Sequence, residues 1–157
     1  MSRHERERFL AGRRVAVLVT IAPDGQPVPT PIWYVYRDGA FYFRTADTSA
    51  KLANVRSNPR VSICVQDERP PYRAVTAHGP ASIEPELPWL ARGIPRRYLG
   101  AIGAFAYNRV SQARVERGAE VTIVVRPDRV TTIDYTPETP FIGRAWLTLK
   151  RILPPWL

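Results

Sequence analysis

Short apolar runs with polar turns between them dominate the first third of the chain, and this is the pattern of β-strands. Residues 15–21 are apolar and rich in β-branched side chains, and Pro23-Asp24-Gly25 follows them as a turn. Residues 26–36 predict a second strand, Arg37-Asp38-Gly39 a second turn, and residues 40–45 a third strand. Because Asp-Gly turns between β-prone runs are a strong hairpin signal, the pattern predicts a three-stranded meander.

Beyond this meander, further strands are predicted at four places: residues 60–66, 72–83, 120–125 and 130–134. Gly79-Pro80 predicts a bulge or bend within the longest of them. This number of strands with few helices favours a closed barrel, because closure removes exposed sheet edges. The predicted fold class is therefore mainly β, a β-barrel with flanking helices.

Helical spacing appears at three places: residues 1–14, 49–56 and 86–117. The first is charged and has Phe9 and Leu10 as its apolar anchors, the second ends at Asn58-Pro59, and the third is expected to break at residues 93–95 and 100–103. The chain thus divides into an N-terminal helix over residues 1–14, a barrel domain over 15–135 and a tail over 136–157.

The tail has apolar residues spaced like one face of a helix, with basic residues beside them. Such a basic amphipathic helix could lie on a membrane surface. Packing against the barrel of the same or a partner chain is the alternative, and it is the one we favour.

A length of 157 residues fits one domain with a real core. The longest apolar run, residues 15–19, is far too short to cross a bilayer, and residues 1–8 show no apolar signal-peptide stretch. The single cysteine, Cys64, has no internal partner for a disulfide. We therefore expect a cytoplasmic protein.

The net charge of +9 comes from 23 basic residues, of which only Lys51 and Lys150 are lysines. A basic surface attracts anions, whether nucleic acid, acidic lipid or a phosphorylated cofactor. The charge alone does not choose among these partners.

The segment over residues 45–51 joins a predicted strand to a predicted helix, and its residues are typical of an anion-binding site. A helix N-terminus offers unpaired N–H groups and the positive end of the helix dipole. Thr48 and Ser49 add hydroxyl donors, and Lys51 adds a point charge suited to a terminal phosphate. An ordinary N-cap followed by a solvated lysine is the alternative, and on these residues alone it is the more common case.

The order of the predicted strands, turn and helix over residues 31–62 resembles that of a known family. Residues 31–45, PIWYVYRDGAFYFRT, followed by Ser49-Ala50-Lys51 and then residues 54–62, NVRSNPRVS, resemble the pyridoxamine-phosphate-oxidase-like split-barrel superfamily. Within it, the chain is most similar to the flavin- or deazaflavin-dependent oxidoreductases that use FMN or coenzyme F420. The resemblance covers roughly residues 10–135 and implies a split β-barrel of the FMN-binding type.

The resemblance also implies a set of cofactor-binding residues. The strand along the flavin ring corresponds to Thr30, Pro31, Ile32 and Trp33, and the positions around the phosphate correspond to Thr45, Ser49, Ala50 and Lys51. Asn54 and Arg56 are carried over from the same motif.

One position departs from the family pattern. FMN-using oxidases commonly have arginine where this chain has Ala50. Without that arginine, Lys51 is the main residue expected to bind the phosphate, helped by Arg56 or Arg44. This departure favours coenzyme F420 as the cofactor, with FMN as the alternative.

The function implied is that of a homodimeric oxidoreductase, with its site at the dimer interface, that transfers a hydride between reduced F420 and a small organic substrate. Such cofactors carry the hydride chemistry themselves, so no catalytic residue is named. The two histidines, His4 and His78, are too few for a metal cluster or a Ser-His-Asp arrangement. Of the aromatic residues, we expect only Trp33 next to cofactor or substrate.

Two other functions stay open. The same barrel hosts proteins that carry or sense a flavin or haem-like ligand without turnover. A nucleic-acid-binding β-barrel ranks last, because such barrels place aromatic residues among basic ones, whereas here the aromatics cluster in the first hairpins and the arginines are scattered. We therefore expect a small-molecule substrate and no nucleic acid.

Overall fold

The computed structural model describes residues 1–115 and 119–136. Its strands are β1 (Ala16–Ile21), β2 (Pro27–Ile32), β3 (Tyr34–Arg37), β4 (Ala40–Ala46), β5 (Arg60–Gln66), β6 (Arg73–Pro85), β7 (Glu120–Val125) and β8 (Arg129–Asp134). Its helices are α1 (Arg3–Ala11), α2 (Ala50–Ser57) and α3 (Pro88–Val115). Within the described residues, no helix is both long enough and apolar enough to cross a bilayer. The predicted tail lies outside the described residues, apart from Thr136.

The strands form one curled antiparallel sheet in the order β2-β1-β5-β6-β7-β4-β3, with β8 added alongside β6. The two ends of this order, β2 and β3, are consecutive in the chain, and only Trp33 separates them. The sheet therefore curls round until its ends meet at Trp33. The predicted fold class, mainly β with a split barrel and flanking helices, is confirmed.

The strand predicted over residues 26–36 is in fact two strands, and this changes the pairing. β2 pairs with β1 and β3 with β4, so both Asp-Gly hairpins are confirmed. At the second hairpin Asp38 and Gly39 have φ of 51° and 76°, the two positive values that a type I′ turn requires. The meander is wrong, because the other neighbour of β1 is β5 and the other neighbour of β4 is β7.

Aromatic side chains fill the middle of the barrel. Phe41 and Phe43 stack with ring centroids 6.3 Å apart, and Tyr34 packs against them at 5.7 and 6.5 Å. The Tyr34 hydroxyl donates to the carbonyl of Leu10 at 2.9 Å, and Phe9 and Leu10 are buried as predicted. Because each fully buried apolar side chain of this size contributes roughly 1.5–3 kcal/mol, this contact fixes α1 over one end of the core.

The long helix α3 differs from its prediction at one of two places. It breaks at Gly100, where φ is 72°, as expected from the glycines there. It continues through Pro95, where a break was predicted and is wrong. Ile94 and Pro95 are both buried, so packing offsets the single backbone hydrogen bond that a proline removes.

The bend predicted at Gly79-Pro80 marks the point where β6 changes partner. Residues up to Pro80 pair with β5, and residues from Ala81 onward pair with β7. A Cβ on Gly79 would lie 2.7 Å from the carbonyl oxygen of Arg126, so only glycine lets the chain pass there.

Candidate functional site

A cavity of about 750 Å³, which we call the first cavity, opens beside the junction of β2 and β3. Its apolar lining residues come mainly from the strand junction and α3: Val15, Pro31, Ile32, Trp33, Ile94 and Tyr107. The other lining residues come from β4, the turn after it and the start of β7: Arg44, Thr45, Ala46, Thr48 and Glu120. The volume is typical of small-molecule sites, and the lining suits a ligand with a flat apolar part and a polar part.

Four of the predicted site residues meet in this lining: Pro31, Ile32, Trp33 and Thr45. Thr30, the next residue along β2, lies opposite Leu18 of β1 and is half-buried outside the lining. The strand that the sequence assigned to the cofactor ring therefore borders the cavity through its last two residues and through Trp33.

Trp33 owes its position to Tyr98 of α3. The two rings stack in parallel, with centroids 4.9 Å apart and planes inclined by 6°. The Tyr98 hydroxyl donates to the carbonyl of Arg14 at 2.6 Å and accepts the Tyr34 N–H at 3.2 Å. Sequence reasoning missed Tyr98, because nothing local in α3 indicates a contact with a strand 64 positions earlier.

The residues predicted around a phosphate converge on Thr45. Its side chain is almost fully buried, and its hydroxyl donates to Ser49 Oγ at 3.1 Å. Lys51 Nζ donates to the same Thr45 oxygen at 3.4 Å. Three polar side chains from the end of β4 and the start of α2 therefore meet at the edge of the first cavity.

Ser49 precedes α2 but is not an ordinary side-chain cap. Its backbone is extended, with φ −73° and ψ 142°, and its side chain makes no hydrogen bond to the helix. Its hydroxyl contacts Thr45 instead, and its carbonyl accepts the Leu52 N–H at 3.0 Å, so the two N–H groups before Leu52 are left for other acceptors. This arrangement differs from the cap-and-solvated-lysine alternative and suits an anion.

The other three predicted residues lie around α2. Ala50 is exposed at the start of the helix, and Arg56 is exposed at its last turn. Asn54 is buried, and its amide donates to Thr20 Oγ1 at 3.0 Å. The structure thus places Asn54 as a link between α2 and β1, not in the lining of the first cavity.

An ion-pair cluster in the lining was only partly anticipated. Arg44 Nε lies 2.7 Å from Glu86 Oε1 and 3.7 Å from Glu120 Oε2, and the arginine side chain is 12% exposed. Arg44 and Glu120 both line the first cavity. Glu120 carries no sequence signal, because only the pairing of β4 with β7 brings it to Arg44.

Two titratable residues outside the first cavity, His78 and Tyr34, make contacts that support the fold. His78 Nδ1 lies 2.8 Å from Ser62 Oγ on the neighbouring strand, consistent with a structural histidine. Burial raises the pKa of the Tyr34 phenol well above its usual range, so this hydroxyl stays neutral in the core. Neither group offers an acid or base to the first cavity.

Comparison with known proteins identifies relatives of this fold. The sequence profile described as pyridoxamine 5'-phosphate oxidase matches residues 2–134. A search of curated proteins gives no significant match. The solved structure of a conserved hypothetical protein from Mycobacterium tuberculosis is 30% identical, with a TM-score of 0.72 over 87% of this chain and 86% of that chain.

Two further structures share the fold at lower identity. One is described as an F420 reductase, is 24% identical and has a TM-score of 0.59 over 80% of this chain and 94% of that chain. The other is an FAD-binding protein from Mesorhizobium loti, 23% identical, with a TM-score of 0.58 over 84% of this chain and 92% of that chain.

Proposed function

The chain belongs to the pyridoxamine 5'-phosphate oxidase family, and we propose that it is an oxidoreductase that transfers a hydride between reduced coenzyme F420 and a small organic substrate. FMN is the alternative cofactor. The shared fold of an F420 reductase and an FAD-binding protein supports a flavin-type ligand in general. The residues of the first cavity support it in particular.

The residues present fit such a cofactor. Pro31, Ile32 and Trp33 offer an apolar surface to its ring, and Thr45, Ser49 and Lys51 offer hydroxyl and ammonium donors to its phosphate. When bound, the cofactor supplies the hydride chemistry, and the protein contributes binding, orientation and exclusion of water.

The position of Thr45 gives this proposal its main support. This residue lines the first cavity and also contacts both Ser49 and Lys51. It therefore joins the apolar cavity to the cationic start of α2 in one continuous site. A ligand with an apolar ring at one end and a phosphate at the other would place its ring in the apolar cavity and its phosphate at the start of α2.

Ala50 supports F420 over FMN. The side chain at this position is exposed and small, so no guanidinium stands between Ser49 and Lys51 at the start of α2. FMN ends in a compact phosphate that gains from two cationic partners, one of them bidentate. F420 carries its phosphate within a longer chain that continues into an acidic tail, so it needs space there and gains from a generally basic surface.

We also propose that two copies of the chain pair, with the cofactor site at their interface. Supporting this, Leu99 and Ile102, on either side of the break at Gly100, are 41% and 89% exposed, and α3 contributes Ile94 to the first cavity. Sedimentation at low and high salt tests it. We expect a salt-resistant dimer, and a monomer at micromolar concentration would contradict the shared site.

The cofactor assignment is tested by titrating the purified protein with F420 and with FMN while following absorbance and fluorescence. We expect saturable binding of both, tighter for F420, with an affinity for F420 that falls more steeply as salt is raised. A protein that purifies with tightly held FMN and does not bind F420 would refute the F420 assignment. A protein that binds neither would refute the proposed function.

A further inference from the structure

A second cavity, of about 640 Å³, lies beside the start of β1. It is lined by Gly12, Arg13, Arg14, Val15, Gln66, Asp67, Glu68, Arg69 and Tyr98. Val15 lines both cavities, and Tyr98 of the second stacks on Trp33 of the first. The two cavities therefore share a wall formed by Val15 and the Trp33–Tyr98 pair.

The Asp67 carboxylate in this lining pairs with Arg14, which also lines the cavity, and with Arg73, which does not. Asp67 has a side chain only 7% exposed, and Arg14 and Arg73 each approach its oxygens to 2.8 Å. The remaining Arg14 nitrogen, Nη1, donates to the carbonyl of Phe9 at 2.7 Å. Arg14 is thus fixed in place, and the cluster as a whole carries an excess positive charge.

A further guanidinium adds to this excess. Arg97 of α3 donates through Nη2 to the carbonyls of Ala11 and Gly12, at 2.8 and 2.5 Å, and its buried Nε has no hydrogen-bond partner. Those carbonyls at the end of α1 have only partial negative charge. Within residues 1–115 and 119–136, Arg97 makes no ion pair, so its full charge is not neutralised.

Arg13 faces the solvent at this cavity. It is exposed, and in the described part of the chain it has no ion pair or hydrogen bond. Its neighbour Arg14 is held by Asp67, so the backbone that carries Arg13 is anchored. The lining carboxylate outside the Asp67 cluster is Glu68, which leaves cationic groups in clear excess.

We propose that the second cavity binds a compact oxyanion, the carboxylate or phosphate group of a small molecule, with Arg13 as its principal contact. Arg14 in the lining, with Arg73 and Arg97 held against the lining residues Asp67 and Gly12, raises the local positive potential. Arg13 supplies free N–H donors suited to a planar or tetrahedral oxyanion. The bound anion lies across the Trp33–Tyr98 pair from the first cavity. This site is distinct from the phosphate site at Lys51.

Titrations of the full-length, cofactor-free protein followed by amide ¹H–¹⁵N NMR test the proposal. The probes are inorganic phosphate and, separately, succinate, each added at constant ionic strength. We expect saturable shifts at residues 12–15 and 66–69 with both probes. If the proposed cofactor site is correct, phosphate also binds at Lys51, and its effects there appear at residues 48–51.

Variants separate the two sites. Arg13→Gln weakens anion binding at residues 12–15 and 66–69 by about ten-fold or more, the value of one charge-assisted contact, and leaves the shifts at residues 48–51. Lys51→Ala has the opposite pattern, and Arg92→Gln, which removes an exposed arginine of α3 from outside both linings, changes neither.

Each contrary result has a definite meaning. If no saturable shift appears at residues 12–15 and 66–69, or if Arg13→Gln leaves those shifts intact, the second site does not exist as proposed. If only the shifts at residues 48–51 are missing, the cofactor's phosphate site is refuted and the second site stands.

Discussion

Tyr98 lies flat against Trp33, with ring centroids 4.9 Å apart, at the point where the two ends of the sheet meet. Its hydroxyl also lies 3.2 Å from both the nitrogen and the oxygen of Tyr34, the residue after Trp33. A single helical side chain therefore contacts both the ring of Trp33, which borders the first cavity, and the backbone of the residue that follows it. The position of Trp33 therefore depends on α3 as well as on the two strands that it joins.

Tyr98→Phe tests this relationship, because it keeps the stacked ring and removes the hydroxyl. We expect the free energy of unfolding to fall by about 1–2 kcal/mol, since the Tyr34 N–H and the Arg14 carbonyl both lose a partner. Tyr107→Phe is the matched control: its ring also contacts Trp33, at 5.9 Å, and no hydroxyl bond is seen in the described part of the chain. Urea unfolding measures both, and equal stability of Tyr98→Phe and wild type would contradict this role.

The local elements could be predicted from the sequence, but the partners of the strands could not. Hydrophobic alternation and the Asp-Gly turns indicate β1, β4 and both hairpins, because those features act over a few residues. The end of β2 just before Trp33 could not be predicted, because an apolar aromatic residue fits the strand pattern on both sides of it. Only the contact with Tyr98 and the divergent pairing of β2 and β3 show it.

In the candidate site, too, residues within a local motif could be predicted, whereas contacts between distant parts of the chain could not. Pro31, Ile32 and Trp33 were predicted from a motif, and all three line the first cavity. Asn54 belongs to the same motif, yet its amide is taken by Thr20, a contact that joins α2 to β1. Glu120 could not be found, because its place beside Arg44 arises from strand pairing across the barrel.

Tyr34 makes stability depend on pH in the alkaline range. Burial raises the pKa of this phenol in the folded state, so above pH of about 10 the unfolded chain loses the proton and the folded chain keeps it. The free energy of unfolding therefore falls as pH rises, by at most about 1.4 kcal/mol per pH unit from this group.

Urea unfolding between neutral pH and the alkaline limit of reversibility measures the effect. Tyr34→Phe lowers stability at neutral pH, because the bond to the Leu10 carbonyl is lost, but it reduces the alkaline decline. Tyr72→Phe, at a side chain 53% exposed, leaves the decline unchanged. An identical decline in wild type and Tyr34→Phe would show that burial of this phenol is not its source.

Ala50→Arg is expected to shift cofactor preference toward FMN. A guanidinium at the start of α2 adds a bidentate partner for a compact phosphate, worth about ten-fold in FMN affinity or more. Ala53→Arg adds the same charge at another exposed position of the helix and serves as control. The ratio of the two dissociation constants, F420 over FMN, is the measurement. A ratio that changes equally in both variants would assign the effect to net charge alone.

The central claim is that Thr45, Ser49 and Lys51 hold the phosphate of a flavin-type cofactor, and Lys51→Ala tests it most directly. Loss of one charge-assisted contact costs about 1.5–3 kcal/mol, so we expect the dissociation constants of F420 and FMN to rise by about ten- to one-hundred-fold. The melting temperature without cofactor stays close to that of wild type, because Lys51 makes only a long contact, 3.4 Å, to Thr45. Arg92→Ala, at an exposed position of α3, controls for the loss of one positive charge. Cofactor affinity that is equal in Lys51→Ala, Arg92→Ala and wild type would contradict the account.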